Sequence, residues 1–127
     1  MAQSISPLIK SDTIMFEYDV PDMKRAIQWY QNVFGFEVIY GPYDCHTEFA
    51  LPIGGARLAL SLADEGKKIE KGARLFISTR DIQAVEACLK SRGIKTRPIE
   101  NVENAVLILW VEDSEGNHLA FEQWLNR

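Results

Sequence analysis

The sequence predicts an α+β fold built from two βαβββ modules. Two observations carry this prediction: the chain repeats its pattern once, and Asp and Gly punctuate both copies at matching places. The copies, residues 13–64 and 73–124, are equal in length. Each opens on alternating apolar residues, Ile14, Phe16, Tyr18 and Val20 in the first and Leu75 and Ile77 in the second. A period of two is the signature of a strand with one buried face. Asp22 and Asp81 follow, and an Asp before a helix accepts the free amide hydrogens of its first turn. Met23, Ile27, Tyr30 and Phe34 then recur at intervals of three or four, as do Ile82, Val85 and Leu89, which marks one face of a helix. Gly35 and Gly93 end these helices, since glycine tolerates the left-handed backbone of a helix terminus. The first module continues with strand-like runs at 36–40, 45–53 and 56–62, turning at Gly54-Gly55, a hairpin signal. The second continues with runs at 95–99, 105–112 and 117–125, turning at 113–116. The reading is one domain over 1–127: module one 13–64, a charged linker 65–72, and module two 73–124.

Composition narrows the function classes. The chain has 127 residues, 46% hydrophobic and 25% charged, the profile of a globular chain large enough for a core without disulfides. Fourteen Lys and Arg against eighteen Asp and Glu give a net charge of −4, so no nucleic-acid partner is expected. Cys45 and Cys88 form no Cys-x-x-Cys pair and no zinc-type spacing; they read as reduced, partly buried thiols. Residues 1–7 lack the charged head and apolar stretch of a signal peptide. No window approaches the ~20 apolar residues of a membrane helix. The expectation is a cytoplasmic protein with no membrane partner.

Several segments resemble the vicinal oxygen chelate superfamily, which includes glyoxalase I, extradiol dioxygenases, fosfomycin-resistance transferases and bleomycin-resistance proteins. They are Val20-Pro21-Asp22-Met23, Trp29-Tyr30-Gln31-Asn32-Val33-Phe34-Gly35-Phe36, Leu51-Pro52-Ile53-Gly54-Gly55-Ala56-Arg57-Leu58 and Val111-Glu112-Asp113-Ser114-Glu115-Gly116-Asn117-His118-Leu119. The resemblance implies that the two modules form a cupped mixed sheet around a cleft, and that the chain is a homodimer. It implies no single activity, because this frame hosts several chemistries.

Strand parity then sorts side chains between core and cleft. Thr13, Met15, Glu17 and Asp19 face the cleft from the first strand, and Arg57, Ala59 and Ser61 from the strand after Gly55. Arg74, Phe76 and Ser78 do so from the first strand of module two, and His118, Ala120, Glu122 and Trp124 from the last. The 105–111 run is apolar on both faces, so parity does not orient it; Trp110 is placed in the cleft by analogy with its neighbours. Leu58, Leu60, Leu62, Leu119, Phe121 and Leu125 are expected in the core.

Metal-dependent members of the superfamily carry His, Glu or Gln at one cleft position in the first and last strand of each module. By resemblance those positions fall on Met15, Ala59, Arg74 and Ala120. None donates an oxygen or imidazole nitrogen, and Arg repels a cation, so neither metal nor cofactor is expected. Displaced donors remain: Glu17 and Glu122 lie two residues beyond a missing ligand and His118 two before one, while His46 and Glu48 share a face. Two residues along one strand span ~6.6–6.8 Å, and His118 to Glu122 spans about twice that, too far for the pair to chelate one ion by themselves.

The expected binding residues are Met15, Glu17, Arg57, Ala59, Arg74, Phe76, Trp110, His118, Ala120, Glu122 and Trp124; no catalytic residue is assigned. Arg in a cup suits carboxylate or phosphate, and aromatic faces suit a flat or cationic ligand. Two classes of function stay open. One is a metal-free protein that binds or sequesters a polar aromatic or anionic compound. The other is a metal-dependent lyase, isomerase, dioxygenase or thiol transferase. A plainer use of the same charges is pairing across the cup, Arg74 with Glu17 or Glu122.

Overall fold

The computed structural model describes residues 4–10, 12–64, 69 and 71–126. After a short 3-10 turn at Ser6–Leu8, module one runs β1 (Ile14–Val20), α1 (Met23–Phe34), β2 (Glu37–Tyr40), β3 (His46–Ala50) and β4 (Ala56–Leu62). Module two runs β5 (Arg74–Ser78), α2 (Ile82–Ser91), β6 (Glu100–Val102), β7 (Val106–Glu112) and β8 (His118–Trp124). Each module makes a four-stranded mixed sheet, ordered β1-β4-β3-β2 and β5-β8-β7-β6. The first strand lies parallel to the last in both. Residues 65–68 and 70 of the expected linker lie outside the described residues.

The two Asp residues cap as their positions imply. Asp22 accepts from Arg25 N and Asp81 from Ala84 N, both at 3.0 Å. Gly55 is held by geometry: at φ +78° it turns β3 into β4, and a Cβ there would sit 1.8 Å from the Asp12 carbonyl oxygen. Its own carbonyl accepts from Ile14 N, so this turn also anchors the start of β1.

The structure corrects the strand expected at 95–99. Thr96 makes one isolated bridge to Val111, and Pro98, lacking an N–H, cannot continue a ladder. Pairing resumes only in β6, whose register matches Val102 to Val106. The turn between β6 and β7 uses Glu103 and Asn104 at φ 54° and 55°, a left-handed pair with no glycine to announce it. Ile14, Leu62 and Leu125, expected in the core, are 73%, 40% and 43% exposed. The first two end their strands and the third lies beyond β8.

One core serves both modules. Tyr30, Phe49, Leu58 and Leu60 of module one join Ile82, Leu109, Val111 and Leu119 of module two. Each such large apolar side chain stabilises the fold by roughly 1.5–3 kcal/mol when fully buried. Phe34 meets Phe121 edge-on across the boundary, with ring centroids 5.8 Å apart.

A polar seam fixes the modules beside this core. Tyr30 Oη donates to Asp113 Oδ2 at 2.7 Å, and Asp113 Oδ1 accepts from Glu115 N and Asn117 N at 2.8 Å each. The fully buried Glu115 carboxylate accepts from Arg25 Nε at 2.7 Å, Arg25 Nη2 at 2.9 Å and Asp22 N at 3.2 Å. Burial opposes its ionisation, but hydrogen bonds from Arg25 and Ser114 outweigh that and hold its pKa below the ordinary carboxylate value. Tyr18 Oη donates to His118 O at 2.6 Å and accepts from Leu75 N at 3.0 Å. Burial raises this phenol to about 12, against the lowering effect of the Leu75 bond, so it remains a donor.

Candidate functional site

The eleven expected binding residues fall on two sheet faces. On module one, β1 and β4 align Met15 with Arg57, Glu17 with Ala59 and Asp19 with Ser61. β3 adds Ala50, Glu48 and His46 opposite the same three β4 residues. Five side chains on this face, Thr13, Arg57, Glu48, His46 and Ser61, bond in a row. Arg57 donates from Nε to Thr13 Oγ1 at 3.0 Å and from Nη1 to Glu48 Oε1 at 2.5 Å. His46 Nε2 lies 2.9 Å from Glu48 Oε2, and His46 Nδ1 lies 3.1 Å from Ser61 Oγ. The His46 hydrogen bond, working against burial and aided by Arg57, lowers the Glu48 pKa. Ala59 is fully buried beneath this layer, while Met15 is 39% exposed and Glu17 is exposed.

On module two, β5 and β8 align Arg74 with His118, Phe76 with Ala120 and Ser78 with Glu122. β7 sets Glu112 opposite His118, Trp110 opposite Ala120 and Ile108 opposite Glu122. That register puts Trp110 on the Arg74 face, while Leu109 and Val111 turn into the core. The Arg74 guanidinium lies over the Trp110 ring, 5.5 Å from its centroid, and Phe76 meets the same ring edge-on at 5.3 Å. Ala120 is fully buried under them. The pairing of Arg74 with Glu17 or Glu122 is not found: among the described residues Arg74 makes no ion pair, and Glu122 accepts from Ser78 Oγ at 3.0 Å.

Three cavities are lined by residues of the module-two end of the chain. A cavity of about 140 Å³ is lined by Arg74, Arg97, Trp110 and His118. A second, about 170 Å³, shares Arg97, Trp110 and His118 and adds Lys95, Thr96 and Glu112. At the other end of the face a wider hollow of about 620 Å³ is bounded by Ser78, Thr79, Arg80, Glu122 and Trp124 with their neighbours. None of the three is lined by a module-one residue. Sequence reasoning missed Arg97, which lies in the stretch expected to be a strand. Pro98 was the available signal, because a proline there argues for an irregular segment.

The four positions expected from the resemblance to carry metal ligands hold no oxygen or imidazole donor. They are Met15, Ala59, Arg74 and Ala120, and the two alanines are fully buried. Among the described residues no three His, Cys, Asp or Glu side chains gather as a metal site needs. Glu48 and His46 are close, but Arg57 is bound to the same carboxylate. Cys45 and Cys88 are free and both exposed, contrary to the partly buried expectation; Arg92 Nη1 touches the Cys88 sulfur. Among the described residues no helix is long and apolar enough to cross a membrane.

A family model, Glyoxalase/Bleomycin resistance protein/Dioxygenase superfamily, matches residues 14–121, and the chain belongs to this superfamily. Solved structures share the fold. The chain is similar to a member of the superfamily from Sphaerobacter thermophilus, at 24% identity and TM-score 0.75 over 91% of this chain and 98% of that one. It is similar to TnmS3, an antibiotic binding protein from Streptomyces, at 22% identity and TM-score 0.75 over 91% and 97%. It is also similar to lactoylglutathione lyase from Agrobacterium tumefaciens, at 15% identity and TM-score 0.73 over 90% and 94%. No curated protein matches the sequence.

Proposed function

We propose that the chain is a metal-free small-molecule-binding protein, and that it holds or sequesters an anionic compound with a flat aromatic part. One observation carries the reading: Arg74, Arg97 and His118 converge on a cavity walled by Trp110. A guanidinium presents two parallel N–H donors that match a carboxylate or phosphate. The exposed edge of the Phe76–Trp110 pair supplies apolar surface beside that charge. TnmS3 shows that this fold is used by an antibiotic binding protein, which fits sequestration. The competing reading, a metal-dependent lyase, isomerase, dioxygenase or thiol transferase, has no supporting donor cluster among the described residues.

The chain acts as a homodimer in this proposal. Phe76 and Met15 remain 41% and 39% exposed on the two faces, and the cavities on the Arg74 face are lined by one module. A second copy would bring its module-one face, with Met15, Glu17, Arg57 and Ala59, over Arg74, Phe76, Trp110, His118, Ala120, Glu122 and Trp124. Two exposed free thiols suit a reducing compartment such as the cytoplasm.

The test is Trp fluorescence and titration calorimetry with paired aromatic probes, naphthoate against naphthylamine and phenyl phosphate against aniline. The anions are expected to bind and quench Trp110 while the amines do not. Equal silence from all four at millimolar concentration, or preference for the amines, would sink the proposal. Light scattering of the free protein checks the dimer.

A further inference from the structure

The module-one face, which the dimer proposed above turns into the shared cleft, holds a second arrangement whose Ser61 and His46 that reading does not use. Ser61, His46 and Glu48 stand in a hydrogen-bonded row, 3.1 Å from Ser61 Oγ to His46 Nδ1 and 2.9 Å from His46 Nε2 to Glu48 Oε2. An ionised carboxylate only accepts hydrogen bonds, and Arg57 anchors the other oxygen of Glu48. The imidazole proton therefore sits on Nε2, facing Glu48. Nδ1 is left bare, facing the Ser61 hydroxyl. A nucleophile within hydrogen-bond reach of a base, with the base oriented by a third group, is the general pattern of an activated serine.

Two further observations favour reaction over mere pairing. Tyr40 meets His46 edge-on at 6.0 Å and Tyr43 at 5.1 Å. Both tyrosines are more than half exposed, so a flat apolar surface stands open beside the row. Asp19 is register-paired with Ser61, which sets another acidic residue on the same sheet face, one strand beyond the row.

We propose that Ser61, His46 and Glu48 form a nucleophilic centre that is acylated by aryl esters. Ser61 Oγ bonds to the ester carbonyl carbon while its proton passes to His46 Nδ1. The carbon–aryl oxygen bond breaks, and the departing aryl oxide takes that proton to leave as a phenol. Water then attacks the acyl-serine, again giving its proton to His46, which returns it to Ser61 as the carboxylic acid departs. Its three residues all lie on module one, none of them among those proposed above to bind the anionic ligand.

The experiment mixes the purified full chain with p-nitrophenyl acetate, following nitrophenol release and locating the acetyl group by peptide mass spectrometry. Acetylation at Ser61 is expected. It should vanish in Ser61→Ala and fall on the order of 100-fold in His46→Ala, the low end of what a general base supplies. Added imidazole should restore much of the His46→Ala rate, which a purely structural histidine would not allow. Glu48→Gln, which keeps the side-chain shape, is expected to slow acylation about tenfold and covers the case in which His46→Ala does not fold. Acetyl found only on Tyr or Lys, or wild-type rates in Ser61→Ala or Glu48→Gln, would overturn the proposal.

Discussion

The two modules share topology and strand register yet use corresponding faces in opposite ways. On module one the charges answer one another: Arg57 is bound to Glu48 and Thr13, and Glu48 to His46. On module two Arg74 lies on an aromatic ring, and Arg97 and His118 open onto the same cavity. Internal satisfaction makes a fixed polar surface, whereas cations over an aromatic floor leave donors free for a ligand. A repeated fold therefore need not mean repeated chemistry. The seam of Tyr30, Asp113 and Glu115 is what lets the faces differ, because it holds the modules together without help from either face.

The largest expected effect breaks the seam. Asp113→Ala would strand the Tyr30 hydroxyl and the Glu115 and Asn117 amides in a buried site. The expected loss is about 3–5 kcal/mol, read as the urea midpoint, with far-ultraviolet circular dichroism following the fold. A smaller loss would mean that the shared apolar core alone fixes the two modules.

The next effects separate the faces. Arg74→Ala is expected to weaken binding of the anionic aromatic probes roughly tenfold to hundredfold, the worth of a hydrogen bond to a charged group. Its melting temperature should barely move, since Arg74 is exposed and bound to no carboxylate among the described residues. Glu48→Ala is expected to do the reverse. It should cost about 1–2 kcal/mol because Arg57 and His46 lose their common acceptor, and any change in probe affinity should be smaller than that of Arg74→Ala. If both variants lost stability alike, the contrast between the faces would fail.

The smallest effect is on pH dependence. The folded-state pKa of Glu115 is depressed, so its stabilising contribution is complete above the ordinary carboxylate value of about 4.5 and is lost as pH falls towards the folded value. The urea midpoint should therefore drop as the solution is acidified below that point. Glu115→Gln should flatten this part of the curve and leave the curve above pH 6 parallel to that of the native chain.

Much of this architecture was legible in the chain. Asp22 and Asp81 cap helices whose apolar residues recur at three and four, and parity sorted Met15, Arg57, Arg74 and His118 onto their faces. Trp110 was not legible in the same way, because its strand is apolar on both sides; its pairing with Ala120 decides it. Arg97 was hidden in a stretch that reads as a strand until Pro98 is weighed. The row of Ser61, His46 and Glu48 was half visible: His46 and Glu48 share a face by parity, but Ser61 joins them only through the β3–β4 register.

By itself the sequence determined both helices, their Asp caps, most strands and the faces of the strands that alternate, because helical and strand periods are local properties of the chain. Only the tertiary structure decided the seam and the division of the expected binding residues between two sheet faces. Tyr30 and Asp113, or Tyr18 and His118, stand 83 and 100 residues apart, and no local pattern encodes a hydrogen bond over that distance. Such pairs exist because burying the shared core brings the modules together, and their buried polar groups must then find partners.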